Sequence, residues 1–299
     1  MYDLAVIGKG PAGLSAAIYA VRAGLSVLVI GRDYGALEKA DKIENYLGFE
    51  HPISGLELLA ASEAQAKRLG VELLVEEVTG VSWMEHFEVH TSKGSYEAAA
   101  VVLATGIPRR KATVKGISEY EGKGVSYCAT CDGFFYRGKN VAVIGNGDYA
   151  LKEASELKAF AANIYLMTNG REFEGNFSDE KIILDKRKIS AVRGEDDRVA
   201  GLDLEDGSKL DLDGIFVAEG TASALDLALK LGLDNDGKVI LTDGGQATNL
   251  PGVFAAGDCT GGLLQVAVAV GEGAKAGMTA ATFVKESRGE KAPKLQWGG

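Results

Sequence analysis

The sequence predicts an α/β chain built from two βαβ-based domains. A buried-type strand, a glycine turn and an Ala-rich helix open the chain, and a second strand closes that unit by residue 30; the same arrangement returns at residues 140–167. Both turns carry closely spaced glycines, Gly8-Lys9-Gly10 and Gly145-Asn146-Gly147. At 299 residues the chain has room for two domains of roughly 100–200 residues each.

The elements follow in order. Residues 3–7 read as a short apolar strand, 13–23 as a helix and 26–30 as the next strand. Residues 56–69 have helical periodicity, and 71–75, 87–91 and 101–104 read as strands. The second unit has a strand at 141–144, a helix at 148–160 and a strand at 163–167. Segments 189–193, 199–205 and 209–217 look like strands joined by acidic turns. Another strand is expected at 253–256, then a long Ala/Val-rich helix at 265–285 and a polar tail. The joints between domains are placed near residues 113–116 and 243–246.

Hydrophobic content of 46% and charged content of 25% are ordinary for a soluble protein. A net charge of −10 argues against a nucleic-acid partner, because phosphate binding needs a basic surface. No apolar run reaches the ~20 residues that span a bilayer, and no basic leader precedes the first strand, so a cytoplasmic location is expected. Three cysteines make a poor disulfide framework for a secreted protein.

Gly8-Lys9-Gly10-Pro11-Ala12-Gly13 fits G-x-G-x-x-G between a strand and a helix. The first glycine allows the tight turn, the second lets a pyrophosphate approach the backbone, and the third lets helix and strand pack closely. At the end of the second strand, where an acid should hold a ribose, stands Gly31-Arg32-Asp33. Gly31 cannot do that work, which leaves Asp33 or a backbone group.

Cys128-Ala129-Thr130-Cys131 is a C-x-x-C pair that can close a small disulfide ring. Asp132 beside it is a candidate proton donor or acceptor. Zinc would need two further ligands. Cys259 stands alone, and His51, His86 and His90 form no zinc-like pair, so redox chemistry is favoured over a metal.

The segment Gly124-Val125-Ser126-Tyr127-Cys128-Ala129-Thr130-Cys131-Asp132-Gly133-Phe134-Phe135 closely resembles the active-site segment of low-molecular-weight thioredoxin reductases. Ile43-Glu44-Asn45-Tyr46, Ala104-Thr105-Gly106, and Gly252-Val253-Phe254-Ala255-Ala256-Gly257-Asp258 followed by Gln265 resemble other motifs of that family. The resemblance covers nearly the whole chain. It implies two Rossmann-like, three-layer ββα domains, the second inserted into the first. Residues 1–113 with 244–299 would form the FAD domain, and 114–243 the C-x-x-C domain. It further implies Asp258 at the ribityl or phosphate part of FAD, Gln265 and Asn45 near the flavin, Cys131 nearer the ring and Cys128 as the exchanging sulfur. Thioredoxin would be the protein substrate, and the enzyme a homodimer.

The second loop departs from the family. Members that use NADPH follow this domain's second strand with a His-Arg-Arg type segment, whose arginines clamp the 2′-phosphate. Here the strand runs into Thr168-Asn169-Gly170-Arg171, with one arginine. Tyr149 replaces a small residue at the helix start, and Glu219 stands where the family usually has an apolar residue. Losing a charge-assisted contact costs about 1.5–3 kcal/mol, so losing two weakens binding by orders of magnitude. The chain thus resembles most the NADPH-independent thioredoxin reductases that take electrons from reduced ferredoxin. Arg109-Arg110-Lys111 with Lys115 is the densest basic patch before the C-x-x-C segment. An NADPH- or NADH-driven reductase, a dithiol oxidase using oxygen, and a non-catalytic module keeping the fold remain alternatives; Asp132, where such oxidases carry histidine, counts against the oxidase.

Overall fold

The computed structural model describes residues 1–107 and 114–291. In chain order the elements are β1 (Tyr2–Ile7), α1 (Pro11–Arg22), β2 (Val27–Ile30), α2 (Gly55–Arg68), β3 (Glu72–Leu74), β4 (Val78–Trp83), β5 (Phe87–Thr91) and β6 (Ser95–Leu103). There follow β7 (Val125–Ser126), α3 (Ala129–Asp132), β8 (Asn140–Ile144), α4 (Asp148–Leu157), β9 (Asn163–Met167) and β10 (Ile182–Asp185). The remainder are β11 (Ile189–Glu195), β12 (Arg198–Leu204), β13 (Lys209–Asp211), β14 (Gly214–Val217), α5 (Ala224–Leu231), β15 (Val253–Ala255) and α6 (Val266–Ser287).

The chain divides into two compact units. One joins Met1–Pro108 to Ser223–Gly299, and the other is Arg109–Ala222. The return to the first unit falls at Ser223, not at the 243/244 joint expected from sequence. The reason is α5 and the chain behind it. A Ser223–Asp226 capping box starts α5 and a left-handed Gly232 ends it. Beyond it, the Ile240 amide donates to the Cys259 carbonyl and the Asp234 amide to Asn249, both within the first unit.

In the first unit, the main sheet runs β3-β2-β1-β6-β5-β4, with β15 also on β6. Strands β3, β2, β1, β6 and β15 pair in parallel. Leu4 to Ile7 are at most 2% exposed, as expected of a parallel strand covered on both faces. The first half of β6 turns back on β5 and then β4 as an antiparallel meander. That meander makes β6 longer than expected and adds β4, which the sequence reading lacked. Helix α6 packs on α1 with backbone contact: a Cβ on Gly273 or Gly277 would meet the carbonyl oxygen of Ala12 or Ala16 at 2.1 and 2.2 Å.

The second unit holds a parallel sheet, β10-β9-β8-β14-β7, and an antiparallel one, β11-β12-β13. Its core includes Ile144, Met167, Leu202 and Ile215. The single strand expected at 209–217 is two strands in two sheets. Asp213 makes the switch: its amide donates to the Asn140 carbonyl, and its carboxylate accepts from the Asn140 amide at 2.9 Å. Those bonds move the chain from β12 to β8. No described helix is long and apolar enough to cross a membrane.

Candidate active site

The first glycine loop lies between β1 and α1. Gly8 has φ +111°, and a Cβ there would lie 2.3 Å from the Ala104 carbonyl oxygen. A Cβ on Gly13 would lie 1.9 Å from the Gly8 carbonyl oxygen. Both positions therefore require glycine for close packing. Gly10 differs: its nearest atom would be the Tyr34 carbonyl oxygen at 3.8 Å, which leaves that side open. Pro11 opens α1, no side chain caps the helix, and its first turn holds no acid. The helix start is thus free to meet an anion.

Two of the other expected segments, Ala104-Thr105-Gly106 and Gly257-Asp258, lie beside this loop. The Ala104 amide donates to the Ile7 carbonyl, which places Ala104-Thr105-Gly106 beside Gly8. The Thr105 hydroxyl is buried and, among the described residues, has no hydrogen-bond partner. A Cβ on Gly257 would touch that of Ala12 at 2.8 Å, so Gly257 and Asp258 lie against the start of α1. Asn45 Nδ2 donates to Gln265 Oε1 at 2.9 Å, joining two residues 220 positions apart. Asp33 caps a local turn through the Gly35 amide at 3.0 Å.

One contributor was missed. Glu272 on α6 accepts from the Gly257 amide at 2.8 Å and from the Thr260 hydroxyl at 3.1 Å, fixing the turn that carries Asp258. Burial first, and the Glu272 charge second, push the Asp258 carboxyl above its ordinary value. On an Ala-rich helix, a single glutamate gives no sequence signal that it faces inward. Cys259 is buried, and that burial pushes its thiol up to about 12, which disfavours a thiolate there.

In the second unit, Cys128 and Cys131 form a disulfide with Cα atoms 5.3 Å apart. Cys128 precedes α3, and its sulfur accepts from the Cys131 amide at 3.1 Å. Cys131 is exposed, whereas Cys128, the exchanging sulfur by resemblance, is 3% exposed. Asp132 accepts from the Ser126 hydroxyl at 2.7 Å, and the same hydroxyl accepts from the Cys128 amide at 3.1 Å. Asp132 is thereby tied to the cysteine pair. Phe134 and Phe135 just beyond it are 61% and 68% exposed.

The second glycine loop, between β8 and α4, is covered by its own chain. The Glu174 amide donates to the Asn146 carbonyl at 2.6 Å, and Asn146 Nδ2 donates to Glu174 Oε1 at 3.2 Å. Asp148 adds an acid to the first turn of α4. Arg171 Nη2 donates to Glu219 Oε1 at 2.6 Å, and the Glu219 side chain is only 5% exposed. Tyr149 is fully buried. Of the basic cluster, Arg109, Arg110 and Lys111 lie outside the described residues.

A model of the pyridine nucleotide-disulphide oxidoreductase family matches residues 2–273. A thioredoxin reductase of Listeria monocytogenes is 34% identical over 303 residues, covering 96% of this chain and 95% of its own. The chain belongs to the thioredoxin reductases of this family. Among solved structures, an atypical thioredoxin reductase from Desulfovibrio vulgaris Hildenborough is 42% identical with TM-score 0.89, covering 96% of this chain and 99% of that one. A ferredoxin-flavin thioredoxin reductase from Clostridium acetobutylicum is 34% identical with TM-score 0.69, covering 97% and 99%. Thioredoxin reductases of this family are FAD-binding flavoproteins, and the residues present here fit FAD. A bare helix start, an open side at Gly10 and a buried unpartnered hydroxyl at Thr105 suit a phosphate-bearing cofactor.

Proposed function

We propose that this thioredoxin reductase reduces thioredoxin, or a thioredoxin-like protein, through Cys128 and Cys131, with electrons from reduced ferredoxin in place of NADPH. The observation that carries this reading is the Arg171–Glu219 pair. Arg171, the arginine in the segment that follows β9, is held by a carboxylate, and Glu174 covers the loop where a pyrophosphate would rest. A dinucleotide would meet the carboxylates of Asp148 and Glu174 and would have to displace backbone hydrogen bonds.

Gly8, Gly10, Pro11, Ala12 and Gly13 hold the FAD pyrophosphate in this reading. Thr105, between Ala104 and Gly106, supplies a hydroxyl, while Asn45, Gly257, Asp258 and Gln265 hold the rest. FAD, when bound, accepts electrons singly and delivers them to a disulfide as a pair. Reduction of Cys128–Cys131 consumes two electrons and two protons and yields two thiols. Asp132, held by Ser126, is placed to give and take protons at the pair. The amide of Cys131 stabilises a thiolate on Cys128, which attacks the substrate disulfide; the resulting mixed disulfide is resolved by Cys131. Exchange at Cys128 requires that sulfur to be uncovered first. The exposed Phe134 and Phe135 offer an apolar rim of the kind a protein partner buries.

A second reading, the NADPH-dependent enzyme, draws on the retained Gly145-x-Gly147 turn and on the 34% identity to the Listeria thioredoxin reductase. Turnover separates the two. With thioredoxin as acceptor, reduced ferredoxin supports catalysis and NADPH does not. Turnover with NADPH equal to that with ferredoxin overturns the proposal.

A further inference from the structure

Lys9 fills the variable position between Gly8 and Gly10 of the first glycine loop, and it is only 6% exposed. Lysines seldom lie so deep without a partner. Its stem crosses the end of β2: a Cβ on Gly31 would meet Lys9 Cγ and the Lys9 backbone nitrogen, each at 3.0 Å. Its Nζ lies 4.1 Å from the centre of the Tyr34 ring. Among the described residues, nothing accepts a hydrogen bond from that nitrogen or forms an ion pair with it. The ring face receives the nitrogen but gives its three N–H donors no lone pair.

Two acids of this region are engaged elsewhere. Glu63 accepts from the Tyr34 hydroxyl at 2.5 Å and from Lys67 at 2.6 Å. Burial raises the Glu63 carboxyl, yet those bonds and the charge of Lys9 hold it below its ordinary value. Asp33 accepts from the Gly35 amide at 3.0 Å and lies 3.8 Å from Arg32.

We infer that Lys9 is a positioning residue for FAD: its buried side-chain nitrogen donates to the adenosine diphosphate half of the cofactor, at the end of β2 where dinucleotide folds place an acid for the ribose. The inference rests on the reading that the first glycine loop cradles FAD. Tyr34 joins the two features, since its ring carries the Lys9 nitrogen and its carbonyl oxygen borders the open side of Gly10 at 3.8 Å. An acid reads a ribose by accepting from its hydroxyls, whereas an ammonium donates to oxygen and offsets phosphate charge. An acid at position 31 would crowd both the stem and the backbone of Lys9. The missing acid at Gly31 and the lysine in the loop are therefore one change.

Lys9→Met keeps the apolar stem and removes the donor. Full-length, flavin-loaded enzyme is diluted, and FAD release is followed by its fluorescence. The FAD dissociation constant should rise about tenfold or more, the effect of losing a charge-assisted hydrogen bond. ADP binding to the flavin-stripped chain should weaken by a similar factor. The melting temperature of that stripped chain should hold or rise, because a buried donor without an acceptor has been removed. A wild-type FAD constant in Lys9→Met overturns the inference. So does a lower melting temperature of the stripped chain with ADP binding unchanged, which would make Lys9 a packing residue. Gly10→Ala, measured alongside, separates the inference from the cradle. Weakened FAD in Gly10→Ala alone overturns only the role of Lys9; wild-type FAD binding in both variants overturns the cradle as well. If Lys9→Met does not fold, Lys9→Leu decides by the same readings.

Discussion

Arg171 and Glu219 lie 48 residues apart in sequence and share a hydrogen bond of 2.6 Å, with the carboxylate almost entirely buried. The arginine expected to serve a nucleotide phosphate is instead the counter-ion of an acid. Removing it therefore acts on stability. Arg171→Ala should cost about 2–3 kcal/mol in urea denaturation, because it leaves a buried carboxylate unpaired. The response to NADPH should not change. Unchanged stability together with weaker NADPH binding would contradict this.

Two glycines of the first loop should fail differently. Gly8→Ala places a methyl 2.3 Å from a carbonyl oxygen at φ +111°, so both folding and flavin content should drop. Gly10→Ala meets nothing nearer than 3.8 Å, so its stability after flavin removal should stay within about 0.5 kcal/mol of wild type. Its flavin content should fall, because the methyl enters the phosphate side of the cradle. Flavin-to-protein ratios and apo-protein melting curves read both effects. Full flavin content in Gly10→Ala would remove the cradle from that side.

Asp132→Asn keeps an acceptor for the Ser126 hydroxyl and removes the proton carrier. Thioredoxin turnover should fall by about 100-fold or more with flavin content unchanged. Near-normal turnover would leave Asp132 with a structural role only.

Cys259 gives a pH-dependent signature. Its thiol pKa rises from 9.0 to about 12 through burial, so the fold favours the protonated form. That contribution is fully present below pH 9 and is lost as pH climbs from 9 toward 12. Cys259→Ala should lose stability less steeply over that window than wild type, as read by denaturation at stepped pH. Equal slopes would place the alkaline loss elsewhere.

Much of this was legible in the sequence because it is local. The β1–α1 and β8–α4 units announce themselves by an apolar run, a glycine pair and a helix. The C-x-x-C pair and Asp132 are contiguous. What escaped depends on long-range placement. Glu272 occupies a helix where an acid normally faces solvent, and only packing turns it inward. Asp213 reads as an ordinary strand-flanking acid until its bonds to Asn140 move the chain between sheets. The meaning of Glu219 was half legible: its unusual charge was visible, its pairing with Arg171 was not. Helix α5 had a readable signal in Ser223, Asp226 and Gly232, and taking it would have moved the domain joint to Ser223.

In the proposed enzyme the second glycine loop no longer serves a nicotinamide. The most direct measurement is the flavin absorbance of the anaerobic enzyme mixed with stoichiometric NADPH, followed by reduced ferredoxin. NADPH should leave the flavin absorbance unchanged and ferredoxin should bleach it; bleaching by NADPH within seconds would restore the nicotinamide to the second loop.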